Sequence, residues 1–138
     1  MRAILYYARA VNNKLLVGLR SIVTQQEAAT KDTSATVNQL LEYVATYPKN
    51  KIAYQASNMV LTGHSDASYL NKSIACSRYG SHIFLSEDER VTKLNGPVLT
   101  IAQIIKFVMP SAAEVELAGL YVAGKEILPL RHTIIELG

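Results

Sequence analysis

The sequence predicts an α/β fold, with helices at both ends of the chain and a three-stranded, mostly antiparallel sheet between them. Before Pro48, apolar residues recur every three or four positions, which is the period of an amphipathic helix. After Pro48 they alternate with polar neighbours, which is the period of a half-buried strand. The helical period returns between Ser111 and Gly138. The predicted order of elements is therefore α-α-β-β-β-α-α.

Length and composition are those of one globular domain, or of a domain with an appendage. The chain has 138 residues, of which 49% are apolar and 18% charged, and it is long enough to bury a core. Its net charge of +3 permits contact with nucleic acid without indicating it. The single Cys76 excludes an internal disulfide and a multi-cysteine zinc site. No apolar run approaches the ~20 residues that span a bilayer, so we expect an intracellular protein, cytoplasmic or nuclear, with no membrane contact.

The first 50 residues are predicted to be helical. Residues 4–24 carry apolar side chains at helical spacing, with an interruption at Asn12-Asn13. A second helix follows and ends at Pro48, because the residue before a proline avoids the helical region of backbone space. The candidates for the N-terminal cap of this second helix are Asp32, Thr33 and Ser34.

Three strands are predicted after Pro48. The first runs from Ile52 to Leu61 and the second from Tyr79 to Leu85, since apolar residues alternate in both. The third lies between Leu94 and Val108, after an interruption at Asn95-Gly96-Pro97. Residues 71–73 are predicted to form a turn and residues 86–90 a charged hairpin tip.

The tail beginning at Ser111 is predicted to form one or two helices, with a break at Gly124 or Pro129. Ser111 and Glu114 have the spacing of a capping box, which gives Glu114 a structural role. The predicted inward-facing stripe consists of Ala113, Leu117, Leu120 and Gly124. Glu116 lies at the margin of that stripe, where a metal ligand that faces the sheet would lie; a solvated helix glutamate is the alternative interpretation.

Two acidic motifs form the candidate functional site. They are residues 64–68, with the sequence HSDAS, and residues 111–117, with the sequence SAAEVEL. Aspartate is unfavourable in strands, so Asp66, which follows an apolar run, either begins a turn or has a function. Two carboxylates held close together repel each other, and an oxygen-preferring cation such as Mg²⁺ relieves that repulsion. The pattern therefore indicates a metal site formed by Asp66 and Glu116.

Other polar residues give weaker signals. His64 lies two positions before Asp66 and therefore on the same strand face, whereas His82 and His132 match no metal-ligand spacing. Several basic residues could contact phosphates of a nucleic acid, although their spacing does not show that they share a face. These residues are Lys72, Arg78, Lys93, Lys106 and Arg131.

Several segments, taken together, point to one known family. They are residues 52–61 leading into 64–69, residues 77–85, residues 94–97 and residues 111–117. This combination resembles the ribonuclease H-like domain of the Pol polyprotein of copia-type retrotransposons. Upstream, residues 28–30 and 39–48 resemble the helical connection between reverse transcriptase and that domain. The resemblance thus implies a helical connection segment at 1–50 and a ribonuclease H-like domain at 51–138.

The resemblance implies metal-dependent hydrolysis of the RNA strand of RNA–DNA hybrids. The family carries one acid on its first strand and a second on its first helix, and the matching positions here are Asp66 and Glu116. Both would be catalytic residues and ligands of Mg²⁺ or Mn²⁺. The family's remaining two acids lie in and beyond a fourth strand, and this chain ends at Gly138. We therefore expect a C-terminally truncated domain that is inactive by itself.

Two further expectations follow from the same resemblance. The alternative function is a non-catalytic remnant that acts as a nucleic-acid-binding or protein-interaction module. In the family the fourth strand pairs with the first. Without that partner, the exposed edge of the first strand is expected to support self-association.

Overall fold

The computed structural model describes residues 2–69, 77–87, 90, 93–105 and 107–138. The chain divides into two compact units, Met1–Ile52 and Ala53–Gly138. The described residues contain helices and a three-stranded antiparallel sheet, which confirms the predicted α/β class. The predicted turn at 71–73 and residues 88–89 of the predicted hairpin tip lie outside the described residues.

The first unit consists of helices. They are α1 (Arg2–Ala10), α2 (Leu15–Val23), a short 3-10 helix (Gln26–Ala28) and α3 (Lys31–Thr46). The predicted interruption at Asn12-Asn13 is confirmed, because it falls between α1 and α2. The predicted end before Pro48 is confirmed as well. The buried apolar side chains of this unit are Ala8, Leu15, Leu16, Leu19 and Ile22.

The N-terminal cap of α3 differs from the prediction. Thr30 is the cap: its hydroxyl accepts a hydrogen bond from the Thr33 amide at 3.3 Å, and the Thr33 hydroxyl accepts one from the Thr30 amide at 3.2 Å. This reciprocal pair satisfies two amides that the helix leaves without partners. The predicted caps Asp32 and Ser34 lie inside the helix, whereas Thr33 supplies the return half of the pair.

The second unit holds the sheet, which has the strand order β1-β2-β3. The strands are β1 (Val60–Ser68), β2 (Arg78–Ser86) and β3 (Pro97–Ile104). The second and third strands lie where the alternation predicted them. The first predicted strand, Ile52 to Leu61, is wrong in its bounds, since only its last two residues belong to β1. Met59 has a φ of 61°, in the left-handed region, and this residue separates the preceding segment from the strand.

The second unit ends in one long helix, α4 (Ala112–Glu136), which packs on β1 and β2. The hydroxyl of Ser111 accepts a hydrogen bond from the Glu114 amide at 3.3 Å, as the sequence predicts. The predicted break is wrong, because α4 continues through both Gly124 and Pro129. A proline removes one backbone donor, and the neighbouring hydrogen bonds keep the helix continuous here. No helix among the described residues is both long enough and apolar enough to cross a membrane.

The predicted inward stripe of α4 is also wrong. Val115, Gly119 and Ala123 are the buried positions, whereas Leu117 and Leu120 are 66% and 60% exposed. A Cβ atom at Gly119 would lie 3.3 Å from Tyr79 Cβ and 3.4 Å from Ala67 Cβ. The helix therefore lies so close to the sheet that only small side chains fit between them. The buried core of this unit is formed by Tyr79, Ile83, Ile101, Ile105 and Val115.

Candidate functional site

Asp66 lies in the second half of β1, inside the strand rather than in a turn. Its partner across the ladder is Gly80 of β2. Since Gly80 has no side chain, the space next to the Asp66 carboxylate stays open, and Asp66 is exposed. Among the described residues β1 pairs with β2 alone, so its other edge carries no strand. Asp66 is therefore accessible to a ligand from both the sheet face and the strand edge.

Helix α4 packs on one face of the sheet. Ala67 contacts α4 near Gly119, and Gly63 lies below Ile127 of the same helix. Successive side chains of a strand point to opposite faces, so Asp66 belongs to the face that is turned away from α4. His64 shares this face with Asp66, as the sequence predicts. We call it the Asp66 face.

Arg78 lies on the Asp66 face as well. It pairs with Ser68 across the ladder, which makes it the diagonal neighbour of Asp66, at a typical Cα separation of about 7–8 Å. Its side chain is half-buried, and two of its guanidinium nitrogens, Nε and Nη2, are buried without a hydrogen-bond partner among the described residues. Buried polar groups in native proteins almost always have partners, and this guanidinium can gain one if it turns outward to an anion.

The same face also carries two histidines and a phenylalanine. His64 and His82 are directly opposite each other in the ladder. Their rings lie 5.4 Å and 5.2 Å from the ring of Phe84, which is fully buried. His82 donates a hydrogen bond from Nε2 to the Asn95 carbonyl at 3.3 Å. The two histidines therefore pack against Phe84, and this packing gives each of them a structural role.

Glu116 lies on α4, beside the buried Val115, and its side chain is exposed. Glu116 precedes Gly119 by three residues and Asp66 precedes Ala67 by one, so the two acidic Cα atoms are within about 15 Å of each other. Asp66 is turned away from α4, whereas Glu116 is part of it. The two carboxylates therefore approach each other only around the unpaired edge of β1.

Two carboxylates are a small ligand set for a metal ion. Mg²⁺ in enzymes usually keeps several waters and takes one or two carboxylates together with phosphates of the substrate. Asp66 and Glu116 supply two exposed carboxylates on adjacent elements. The described residues contain no group of three or more His, Cys, Asp or Glu that could hold a metal ion. A cation held by this pair would need further ligands from a substrate, and the two carboxylates would have to turn toward each other around the edge of β1.

Two of the other basic residues named by the sequence are among the described residues. Lys93 forms an exposed ion pair with Glu87 at 3.4 Å, and Arg131 lies on α4. Lys72 and Lys106 lie outside the described residues, as does Cys76. Arg78 is therefore the basic residue that the structure brings next to Asp66 within the described part of the chain.

The segment Asn95-Gly96-Pro97 has a structural role that its pattern did not reveal. The Asn95 amide group donates to the carbonyls of Gln55 and Leu85, both at 2.9 Å, and accepts from the Gln55 amide at 2.8 Å. A Cβ at Gly96 would lie 2.6 Å from Tyr54 Cδ1 and 2.7 Å from the Ala53 carbonyl oxygen. These contacts, which we call the Asn95 clamp, hold residues 53–55 against the sheet. An Asn-Gly pair indicates a turn, so local pattern alone could not predict such a distant contact.

Comparison with known proteins identified no relative of this chain. No protein-family model, curated protein or solved structure matches the chain. The fold and the site are therefore described by their own residues, and the family resemblance seen in the sequence stays a prediction.

Proposed function

We propose that this chain is part of a ribonuclease H-like domain of the copia type, which hydrolyses the RNA strand of RNA–DNA hybrids with the help of a divalent metal ion. The observation that carries this proposal is the Asp66 face. An exposed acid that can hold a cation lies there beside Arg78, whose guanidinium has two nitrogens without a partner among the described residues and can hold a phosphate once it turns outward. Cleavage of a phosphodiester is favoured where both functions lie side by side.

The order of the elements supports the same proposal. Three consecutive antiparallel strands are followed by a helix that packs on the first of them. The first strand carries Asp66 and the helix carries Glu116, as expected from the resemblance. This arrangement is compatible with the finer, ribonuclease H-like assignment, which we propose together with the activity.

Each residue has a distinct role in the proposed reaction. Asp66 and Glu116 would hold Mg²⁺ at the open edge of β1, where the ion supplies an activated water and neutralises charge on the scissile phosphate. Arg78 would contact a phosphate oxygen and so fix the register of the duplex on the sheet. Gly80 leaves the space beside Asp66 in which the backbone of the substrate can approach.

The test is cleavage of an end-labelled RNA–DNA hybrid with Mg²⁺ or Mn²⁺, comparing the chain with Asp66→Asn and Glu116→Gln. Because the chain is expected to be inactive by itself, any cleavage that it shows must depend on both acids. Either substitution removes a charged ligand with almost no change of shape, so we expect that cleavage to fall by about 100-fold or more. Glu126→Gln is the matched control, because Glu126 is exposed on the same helix and should leave the rate unchanged. Cleavage that survives both acid substitutions would contradict the assignment of the site.

Arg78 is tested separately by binding of the hybrid in Ca²⁺, which commonly replaces Mg²⁺ without supporting hydrolysis. Arg78→Gln should weaken binding and reduce its dependence on salt concentration, because one phosphate contact is lost. Lys93→Gln is the control, since Lys93 is exposed and paired with Glu87. Equal effects of the two substitutions would show that Arg78 makes no special contact.

The same experiments distinguish the alternative function. Binding of the hybrid without cleavage, in a sample with a folded circular dichroism spectrum, is expected of the incomplete nuclease and of the nucleic-acid-binding module alike. Only in the incomplete nuclease should Mg²⁺ strengthen this binding and Asp66→Asn remove that effect. Neither binding nor cleavage would leave the protein-interaction module as the better account.

A further inference from the structure

The outward face of α4 carries an unusual apolar stripe. Leu117 and Tyr121 are each 66% exposed, Leu128 is 56% exposed and Ile135 is 64% exposed. In the described part of the chain, apart from the backbone of the same helix and the two neighbouring residues, no atom lies within 4 Å of the position that a Cβ atom at Gly124 would take. The spacings between neighbouring positions of the stripe alternate between four and three. Its members, which we call the outer seam, are Leu117, Tyr121, Gly124, Leu128, Arg131 and Ile135.

This spacing is that of a helix that packs along another helix. Alternating steps of four and three average 3.5 residues, which keeps one face turned toward a partner over several turns. The opposite face of α4 is already used, because Val115, Gly119 and Ala123 are buried against the sheet. The outer seam therefore fits a second helix and has no role in the packing of the sheet.

The exposed area supplies more than half of what a standard interface buries. The four exposed apolar side chains of the outer seam together amount to roughly 450–550 Å² in each copy, against about 800 Å² per partner in a standard interface. Leu120 is 60% exposed on the flank of the seam and adds to this area. A patch of this size is at the upper end of the roughly 300–600 Å² that the largest apolar patch of a monomer covers, and such patches are often functional.

We propose that the outer seam is the interface of a symmetric homodimer, in which the α4 helices of two copies pack antiparallel. In this arrangement Leu128 of the partner subunit fills the open space at Gly124. Leu117 packs on Ile135 of the partner subunit, and the ring of Tyr121 receives Arg131 of the partner subunit. The two-fold axis repeats each contact, so the six positions form six layers without a gap.

The residues of the seam favour this direction over a parallel one. A parallel pair in register would place Gly124 against Gly124 of the partner subunit and leave a void. It would also place Arg131 against Arg131 of the partner subunit, where like charges repel. The antiparallel pair instead places each arginine on an aromatic ring, which attracts cations. The Tyr121 ring has Lys125 Nζ at 5.8 Å from its centroid, so Arg131 of the partner subunit has to take the opposite side of the ring.

The first test is the molar mass in solution, measured by light scattering over a wide range of chain concentrations. We expect twice the chain mass for the native protein and a return to the chain mass for Leu128→Glu. Val17→Glu is the matched control, because Val17 is 55% exposed on α2, close to the exposure of Leu128, and it should leave the dimer intact. Circular dichroism checks that all three proteins are folded.

Two outcomes would overturn the proposal. A native protein that is monomeric at every concentration shows that no second copy binds the seam, whether or not another segment covers it. A Leu128→Glu variant that dimerises as well as the native protein shows that another surface, such as the edge of β1, carries the association.

The second test determines the direction of the helices, in a chain that carries Cys76→Ser. Gly124→Cys and Leu128→Cys variants are mixed and mildly oxidised, and disulfide-linked dimers are identified by mass. An antiparallel pair should join one variant to the other, because these two positions share a layer. Links formed only within each variant would indicate a parallel pair and contradict the proposed arrangement.

Discussion

The two faces of α4 are both apolar, yet they use different residues. The face on the sheet carries Val115, Gly119 and Ala123, which are buried, whereas the outer face carries Leu117 and Leu128, which are exposed. Close packing explains the difference: Gly119 lies so near Tyr79 and Ala67 that a larger residue would have no room. The size of the residues, rather than their hydrophobicity, therefore distinguishes the buried face of this helix from the exposed one.

The largest loss of stability is expected when Gly119, on the face packed against the sheet, is replaced by leucine. A Cβ there already lies 3.3 Å from Tyr79 Cβ, so a leucine must push α4 away from the sheet. We expect Gly119→Leu to lower the free energy of unfolding by about 3 kcal/mol, measured by urea denaturation in dilute solution. Gly124→Leu is the matched control and should cause no loss, because its position is open and leucine favours a helix. Equal losses would contradict the difference between the faces.

Truncation to alanine tests the same comparison with a smaller effect. Val115 is fully buried, so Val115→Ala leaves a cavity and should lower the free energy of unfolding by about 2 kcal/mol. Leu117→Ala, two residues away on the outer face, should change it by less than about 0.5 kcal/mol in dilute solution. If the leucine variant lost more than the valine variant, the predicted inward stripe would have been right after all.

A pair of substitutions at the contact between β1 and α4 tests how closely the buried face of the helix packs. A Cβ at Gly63 would lie 2.7 Å from Ile127 Cδ1, so Gly63→Ala should cost about 1–2 kcal/mol. Ile127→Val removes that methyl group and should recover part of the loss when the two are combined. The measurement is a double-mutant cycle, with an expected coupling of at least ~0.5 kcal/mol. Simple additivity would show that Ile127 moves aside freely.

The smallest effect on stability is expected at the N-terminus of α4, because the cap stabilises the helix as a whole and not one of its faces. Ser111→Ala removes the acceptor of the Glu114 amide and should lower the free energy of unfolding by about 1 kcal/mol. Ser111→Asp retains an acceptor and is the control. Thermal unfolding followed by circular dichroism measures both, and equal stability of the alanine and aspartate variants would argue against the cap.

Much of the fold could be predicted from the sequence, and the errors have physical causes. The helix boundaries at Asn12-Asn13 and Pro48 were predicted correctly, because the effect of these residues on the backbone depends only on their neighbours in sequence. The first strand was misplaced because residues 52–59 also alternate. Their extended backbone is held by the side chain of Asn95 instead of a strand, and this contact spans 40 residues. The phase of α4 was misjudged because periodicity cannot choose between two apolar faces.

The candidate site was predicted only in part. Asp66 and Glu116 were identified from their residue types and from resemblance, and the structure places them on adjacent elements. That they lie on different sides of the sheet depends on the register of β1, which no local pattern encodes. Arg78 was one of five basic candidates, and only the ladder shows that it is the diagonal neighbour of Asp66.

The Asn95 clamp also makes the second unit sensitive to deamidation of one asparagine. Asn-Gly is the dipeptide that deamidates most readily, because the glycine amide meets little steric hindrance when it attacks the side-chain carbonyl. In this protein the change to aspartate would replace the nitrogen that donates to Gln55 and Leu85 by a charged oxygen, which two carbonyl oxygens repel. Deamidation of Asn95 during storage is therefore expected to release residues 53–55 from the sheet.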